Sequence, residues 1–199
     1  LVIEKALTLA GTSDGTRRAR LQYERGLLEL ARGDTQAAFD AFGEANRADP
    51  NFRPARRNQA AVLMRAGDYA GAAAELEDLL RVDANDQDTH VAHAVALRGQ
   101  GRHQQARAEL EAVLQADPGH LAAIFDLAVL EAEFLNRRTE AKARFENFLS
   151  LAPRNHPQRD AASRYVRDLG AELAPRPPEP ARPAEPATPS PDDPPVDDG

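Results

Sequence analysis

The chain has 199 residues, a formal net charge of −7, 42% hydrophobic and 5% aromatic residues, and neither cysteine nor tryptophan. Without cysteine it has no disulfide, thiol nucleophile or cysteine-type zinc site, and alanine and leucine must carry the apolar load, which favours closely packed helices over sheets. Six acids and two arginines in residues 175–199 account for −4 of the charge; the near-neutral remainder lacks the clustered basic surface that a nucleic-acid backbone requires.

In chain order, residues 1–10 place Ile3, Ala6, Leu7 and Ala10 on one helical face. This predicts the second helix of an incomplete upstream unit, followed by a linker, so that residues 1–15 stand apart from the body. Glu4 and Lys5 interrupt the apolar run, which excludes an intact signal peptide. No stretch approaches the ~20 apolar residues of a membrane-spanning helix. Leu1 in place of Met suggests a fragment or processed product. Membrane association is therefore expected only through an anchor upstream of Leu1.

A period of 34 residues follows. Gly33, Gly67 and Gly101 fall in register, as do Ala38, Ala72 and Ala106, then Phe42, Leu76 and Leu110, then Asp49, Asp83 and Asp117. Small residues recur in the first half of each unit: Gly26, Ala60, Ala94 and Ala128. Repetition at this spacing is the mark of a helical solenoid. In the first unit Leu21, Leu27, Leu28 and Leu30 form one helical stripe, which Arg32-Gly33-Asp34 breaks. Ala38, Phe42 and Ala45 recur at i, i+4, i+7 as a second amphipathic helix, and Asp49-Pro50-Asn51 stops it. The small residues mark helix crossings, where only a short side chain admits a large neighbour. A fourth unit runs from Leu121 to about Asn155, gains one residue near Asn136–Thr139, and has Leu135 where the loop glycine is expected. Its turn should therefore differ in shape.

Residues 157–169 are predicted as an end helix, with Pro157 at its first position, Ala161, Ala162, Tyr165, Val166 and Leu169 on its apolar face, and Gly170 as its stop. The solenoid is thus expected over residues 16–170. Residues 171–199 form a tail rich in proline and acid, with ten of the fifteen prolines beyond residue 174; such a composition stays extended and could reach ~80 Å. Spacer is the preferred reading over an SH3-type ligand, although Pro177-Pro178-Glu179-Pro180-Ala181-Arg182 fits a PxxPx-Arg pattern.

No catalytic motif appears: there is no HExxH, Walker-type loop, GxSxG or glycine-rich dinucleotide turn. His90 and His93 lie one helical turn apart, but the repeat places them against a neighbouring helix and supplies no further metal ligand. Asp83–Asp88 superficially resembles a calcium loop, yet it lacks the central glycine and terminal glutamate, and helix capping explains it better. Neither metal nor cofactor is expected, and the chain is not expected to be an enzyme.

The small residue, the Gly-Asp or Gly-Arg turn, and the Ala, Phe/Leu and Asp-Pro positions at fixed spacing resemble the tetratricopeptide repeat (TPR) family over about residues 19–155. The large aromatic that the family carries early in the first helix is missing, with Gln22, Arg56, His90 and Ile124 at that spacing. The resemblance implies an all-α superhelix of about four helix-turn-helix repeats with a partial N-terminal helix and a C-terminal cap. It also implies a concave groove lined by the first helices. By register, that groove holds Tyr23, Leu27 and Leu30; Arg57, Asn58, Ala61, Met64 and Arg65; Val91, Val95 and Arg98; and Phe125, Val129 and Ala132.

The function expected from this is a non-catalytic scaffold that binds an extended or helical segment of a partner protein through apolar anchors, with Arg57 and Arg98 steering its acids. The lysine/asparagine clamp of the family's chaperone-tail binders has no match here. The chain is also similar to bacterial envelope TPR proteins and lipoproteins that serve pilus, secretion or motility machines. Its arginine-over-lysine usage, with Lys5 and Lys142 as the only lysines, and its abundant alanine and proline suit a GC-rich bacterial genome. Periplasm or cell envelope is expected over cytoplasm. The alternatives are a substrate-recruiting arm of a larger enzyme and a module that self-associates through its N-terminal face.

Overall fold

The computed structural model describes residues 15–174. The upstream helix expected from sequence lies outside them, as does the expected tail beyond residue 174; residues 171–173, expected to belong to that tail, are helical. Among the described residues there are nine helices and no strand: α1 (Gly15–Arg32), α2 (Thr35–Ala48), α3 (Arg53–Arg65), α4 (Tyr69–Val82), α5 (Gln87–Gly99), α6 (His103–Ala116), α7 (Leu121–Glu133), α8 (Arg138–Leu151) and α9 (Arg159–Leu173). They pair as α1/α2, α3/α4, α5/α6 and α7/α8, and α9 closes the last pair.

The 34-residue period is visible in the backbone. Gly33, Gly67 and Gly101 each adopt a positive φ, at 83°, 84° and 75°, the left-handed conformation that ends a helix at no steric cost to glycine. The aspartates do two jobs. Asp34 and Asp68 accept from the backbone N–H groups of Ala37 and Gly71 and so start α2 and α4. Asp49, Asp83 and Asp117 end the second helices and accept from the N–H two residues on, at Asn51, Asn85 and Gly119, which folds each exit into an Asx turn. In the Asp83–Asp88 segment, Asp86 accepts from the Thr89 N–H at 3.1 Å and caps α5.

The fourth turn is one residue longer than those before α4 and α6. The N–H of Asp68 and of Arg102 reaches back five residues, to the carbonyls of Leu63 and Leu97, whereas that of Arg137 reaches back six, to Glu131. Asn136, at φ 53°, takes the left-handed position in place of glycine.

The small residues lie where helices cross. Ala60, Ala94 and Ala128 are fully buried, as are Ala38, Ala72, Ala106 and Ala141. At Gly26 a Cβ would fall 2.4 Å from the Phe42 ring, so the ring fills the space that glycine leaves. Phe42, Leu76, Leu110 and Phe145 are buried in the gaps between helices. A buried phenylalanine here contributes about 3–5 kcal/mol by the cost of its truncation.

Two predicted boundaries of the end helix are corrected. Pro157 lies outside α9, which starts at Arg159, and Gly170 sits inside the helix, which continues to Leu173. The helix is anchored instead by Arg159, whose guanidinium donates to the carbonyls of Leu149 and Ala152 at the exit of α8, and by Arg138, whose Nε meets Glu172 at 2.7 Å. Tyr165 stacks on Phe145 with centroids 4.5 Å apart, and Ala162 and Leu169 are buried beneath. At the other end, Leu28 on α1 is 46% exposed, while its register equivalents Val62, Ala96 and Leu130 are buried.

Candidate functional site

Successive first helices touch: α1 meets α3, α3 meets α5, and α5 meets α7. Among the described residues no comparable contact joins one second helix to the next. In a curved stack the layer whose members touch is the inner one, so the first helices form the concave wall. Helices α3, α5 and α7 are 13 residues each, which keeps their side chains in rows across the wall.

That wall holds a cavity of about 710 Å³ lined by Ala61, Met64, Arg65, Tyr69, Val95, Arg98, Gly99 and Phe134. Five of these, Ala61, Met64, Arg65, Val95 and Arg98, are groove residues chosen by register. Register on the first helices does not point to Tyr69, Gly99 or Phe134. Tyr69 opens α4, a second helix, and its ring reaches the groove over Gly99, where a Cβ would fall 2.1 Å from the ring. Phe134 lies just past α7 in the longer fourth turn, is 47% exposed, and stands 4.6 Å from the His103 ring. The one-residue insertion signalled that this turn departs from the others, but not where its aromatic would point.

The other predicted residues divide by burial. Val91 and Phe125 belong to the core and do not present a groove surface: Val91 packs with Leu97 and Leu110, and Phe125 sits edge-on to Phe145 and Phe148. Both are corrections, and both follow from position. The row Tyr23, Arg57, Val91 and Phe125 lies deep between adjacent units, and an apolar side chain there is drawn in. Tyr23 is half-buried against Phe42 and Phe52, and Leu30 packs on the Phe42–Val62 cluster. Val129 and Ala132 lean on the cluster beneath α8 and α9. Leu27 is exposed, and Asn58 is half-buried.

The arginines expected to steer acids are largely neutralised within the chain. Arg57 lies 3.0 Å from both Asp86 and Asp88, and Arg98 lies 3.5 Å from Asp126. Arg53 also pairs with Asp83, which holds the guanidinium more basic and the carboxyl more acidic than usual through their hydrogen bond. These contacts form a ladder: an arginine on one unit reaches a carboxylate at or before the next first helix. Burial raises the Asp126 pKa above its ordinary value against the pull of Arg98, so this rung sits in a poorly solvated part of the wall. Arg65 is exposed and has no carboxylate partner among the described residues.

On the side of the second helices, His90 and His93 converge on Glu109 of α6. His93 Nδ1 is 3.2 Å from Glu109 Oε1, His90 Nδ1 meets Glu109 Oε2, and His93 Nε2 lies 3.5 Å from Glu77 of α4. His90 Nε2 is 3.0 Å from the Ala84 carbonyl. Arg56, one unit earlier at the His90 position, pairs with Glu75 at 2.8 Å. Units two and three therefore use ionic contacts within the helix pair where the family carries a large aromatic. Among the described residues no helix is long and apolar enough to cross a membrane.

No curated protein sequence matches the chain significantly. Among solved structures, a thermophilic TPR protein from Thermus thermophilus superposes with a TM-score of 0.66 at 19% identity, covering 78% of this chain and 82% of that one. PilF of Pseudomonas aeruginosa gives 0.65 at 23% identity, covering 77% and 68%. The first TPR of Spaghetti bound to an HSP90 peptide gives 0.54 at 18% identity, covering 60% and 95%. At these identities the likeness is one of fold. The sequence profile of the tetratricopeptide repeat matches residues 29–96 and 97–165, more than half of the 199 residues, and the chain belongs to the tetratricopeptide repeat family.

Proposed function

We propose that this TPR chain is a protein-binding scaffold that captures a segment of a partner protein in its concave groove, with the Met64–Val95 cavity as the apolar anchor site. The observation that carries this reading is the cavity: an opening of about 710 Å³ on the inner wall, floored by Ala61, Met64 and Val95 and walled by Tyr69 and Phe134. Apolar side chains left open in a row on a folded surface favour a partner. That the Spaghetti TPR was solved bound to a peptide supports this use of the fold.

The test is photo-crosslinking in the native cell. A crosslinking residue in place of Arg65 should trap one discrete partner, while one in place of Ala74, exposed on the second helix α4, should not. Changing Met64 and Val95 to Glu should abolish the product while helical content stays constant. Persistence of the product in that double variant would remove the groove from the account. We place the role in the assembly of a bacterial envelope machine, on the composition and family resemblance described above; recovery of the native protein in the cytoplasmic fraction alone would overturn that placement.

A further inference from the structure

We propose that the groove is polarised and selects an extended segment in which a large apolar side chain lies between a carboxylate and a basic side chain, the carboxylate docking at Arg65 and the base at Glu133. The inference rests on the groove reading above and adds the partner's chemistry to it. Arg65, Gly99 and Glu133 occupy the same register position on α3, α5 and α7. They form one row across the wall, and the two ends carry opposite charge. Arg65 has no carboxylate partner and Glu133 no cationic partner among the described residues. Glu133 is exposed, and its charge adds to burial in raising the Tyr165 pKa. The other arginines of the wall, Arg57 and Arg98, are paired, so the row's free charges sit at its ends.

The middle of the row carries no charge. Gly99 has no side chain, and the Tyr69 ring lies against it. With Met64, Val95 and Phe134 this gives an apolar seat between the two charges. Arg53, Arg56 and Arg57 of α3 and Asp126 and Glu131 of α7 are ion-paired, which leaves Arg65 and Glu133 as opposite charges across the wall. Such a field orients a charged segment before it docks. Neighbouring packed helices lie 8–10 Å apart, so Arg65 and Glu133 are separated by roughly 16–20 Å. An extended chain advances about 3.3 Å per residue, which sets the ligand's two charges about five or six residues apart.

The experiment selects from a displayed library of random 12-residue segments on the immobilised full chain, with Val95→Glu as the filter for groove dependence. Clones lost on Val95→Glu should carry an acid and a base five or six residues apart around Leu, Ile, Met or Phe. Arg65→Glu and Glu133→Lys, both at exposed positions, should each weaken those clones about three- to tenfold. The variant carrying both changes should prefer the same clones with acid and base exchanged. Groove-dependent clones without the charge pair, or unchanged selection by the charge variants, would overturn the polarity and leave the groove standing. Absence of any Val95-dependent clone would overturn both. Val95-dependent binding of a synthetic peptide of residues 175–199, or a dimer dissolved by Val95→Glu, would assign the groove to the chain's own tail or to a second copy and defeat the proposal.

Discussion

The third and fourth units solve the same packing problem with different chemistry. At equivalent positions of α5 and α7 stand Thr89 and Ala123, His90 and Ile124, His93 and Leu127. In the third unit the two histidines meet Glu109, and His93 also approaches Glu77. In the fourth, Leu127 joins Leu110, Val113 and Leu130 in hydrocarbon, and Ile124 packs with Phe145 and Phe148. The fourth unit keeps one buried charge, Glu131, where the third has Leu97, and pairs it to Arg144 at 2.7 Å. The backbone tolerates either solution, because what the repeat specifies is the space at a position and not the way its polarity is satisfied. The two solutions should nonetheless respond differently to truncation, to pH and to the turn that follows.

Truncation should give the largest difference. Leu127 is fully buried, and Leu127→Ala should cost about 2–5 kcal/mol, transfer and cavity terms together. His93→Ala should cost less, about 1–2 kcal/mol, because it removes a hydrogen bond whose carboxylate retains His90 and borders solvent. Urea unfolding of both variants at pH 6 reads the contrast. Equal losses would mean that the histidine packs as a hydrocarbon does, and the distinction between the units would fail.

This contrast also shows which parts of the structure were legible in the sequence. Gly33, Gly67 and Gly101 announce a left-handed turn because few other residues tolerate it, and Ala38, Ala72 and Ala106 announce a crossing because a larger side chain would not fit. Position within a unit therefore follows from size and φ. Exposure on the inner wall does not, because it depends on what the next unit offers. Register places Val91 and Phe125 in the groove, yet both are drawn into the interior, and Arg57 and Arg98 find carboxylates one unit away. Tyr69 and Phe134 reach the groove from a second helix and a turn, where a rule based on first helices does not look.

The next effect is a dependence on pH. Burial alone would lower the His90 pKa, but the Ala84 carbonyl, the Glu109 carboxylate and the Asp86 charge outweigh it and hold the imidazole above its ordinary value. Its contribution to stability is therefore full below about pH 6.5 and is lost as pH rises through the raised value. Glu109 moves the other way: the hydrogen bond from His93 lowers its pKa against the cost of burial, with His90 adding to the effect. Its share is present above its usual range near 4.5 and is lost as pH falls through the lowered value. The cluster is thus most stabilising between about pH 4.5 and 6.5. Because Asp126 also binds its proton more tightly when folded, the measurement must be a difference. The stability gap between wild type and His90→Gln should narrow from pH 6 to pH 9. A gap that widens would reverse the sign assigned to the cluster.

The smallest effect concerns the turns. Gly101 and Asn136 hold the left-handed residue of the third and fourth turns, at φ 75° and 53°. A Cβ at Gly101 would meet nothing within 4 Å, so Gly101→Ala tests backbone strain without a clash and should cost about 1 kcal/mol. Asn136→Gly relieves the same strain but loosens the unfolded chain and removes the side-chain contact with Arg138. Its effect should fall within about 0.5 kcal/mol of zero. If Asn136→Gly instead costs as much as Gly101→Ala, the asparagine side chain and not its backbone conformation holds the fourth turn, and the extra residue there is a docking point for α8.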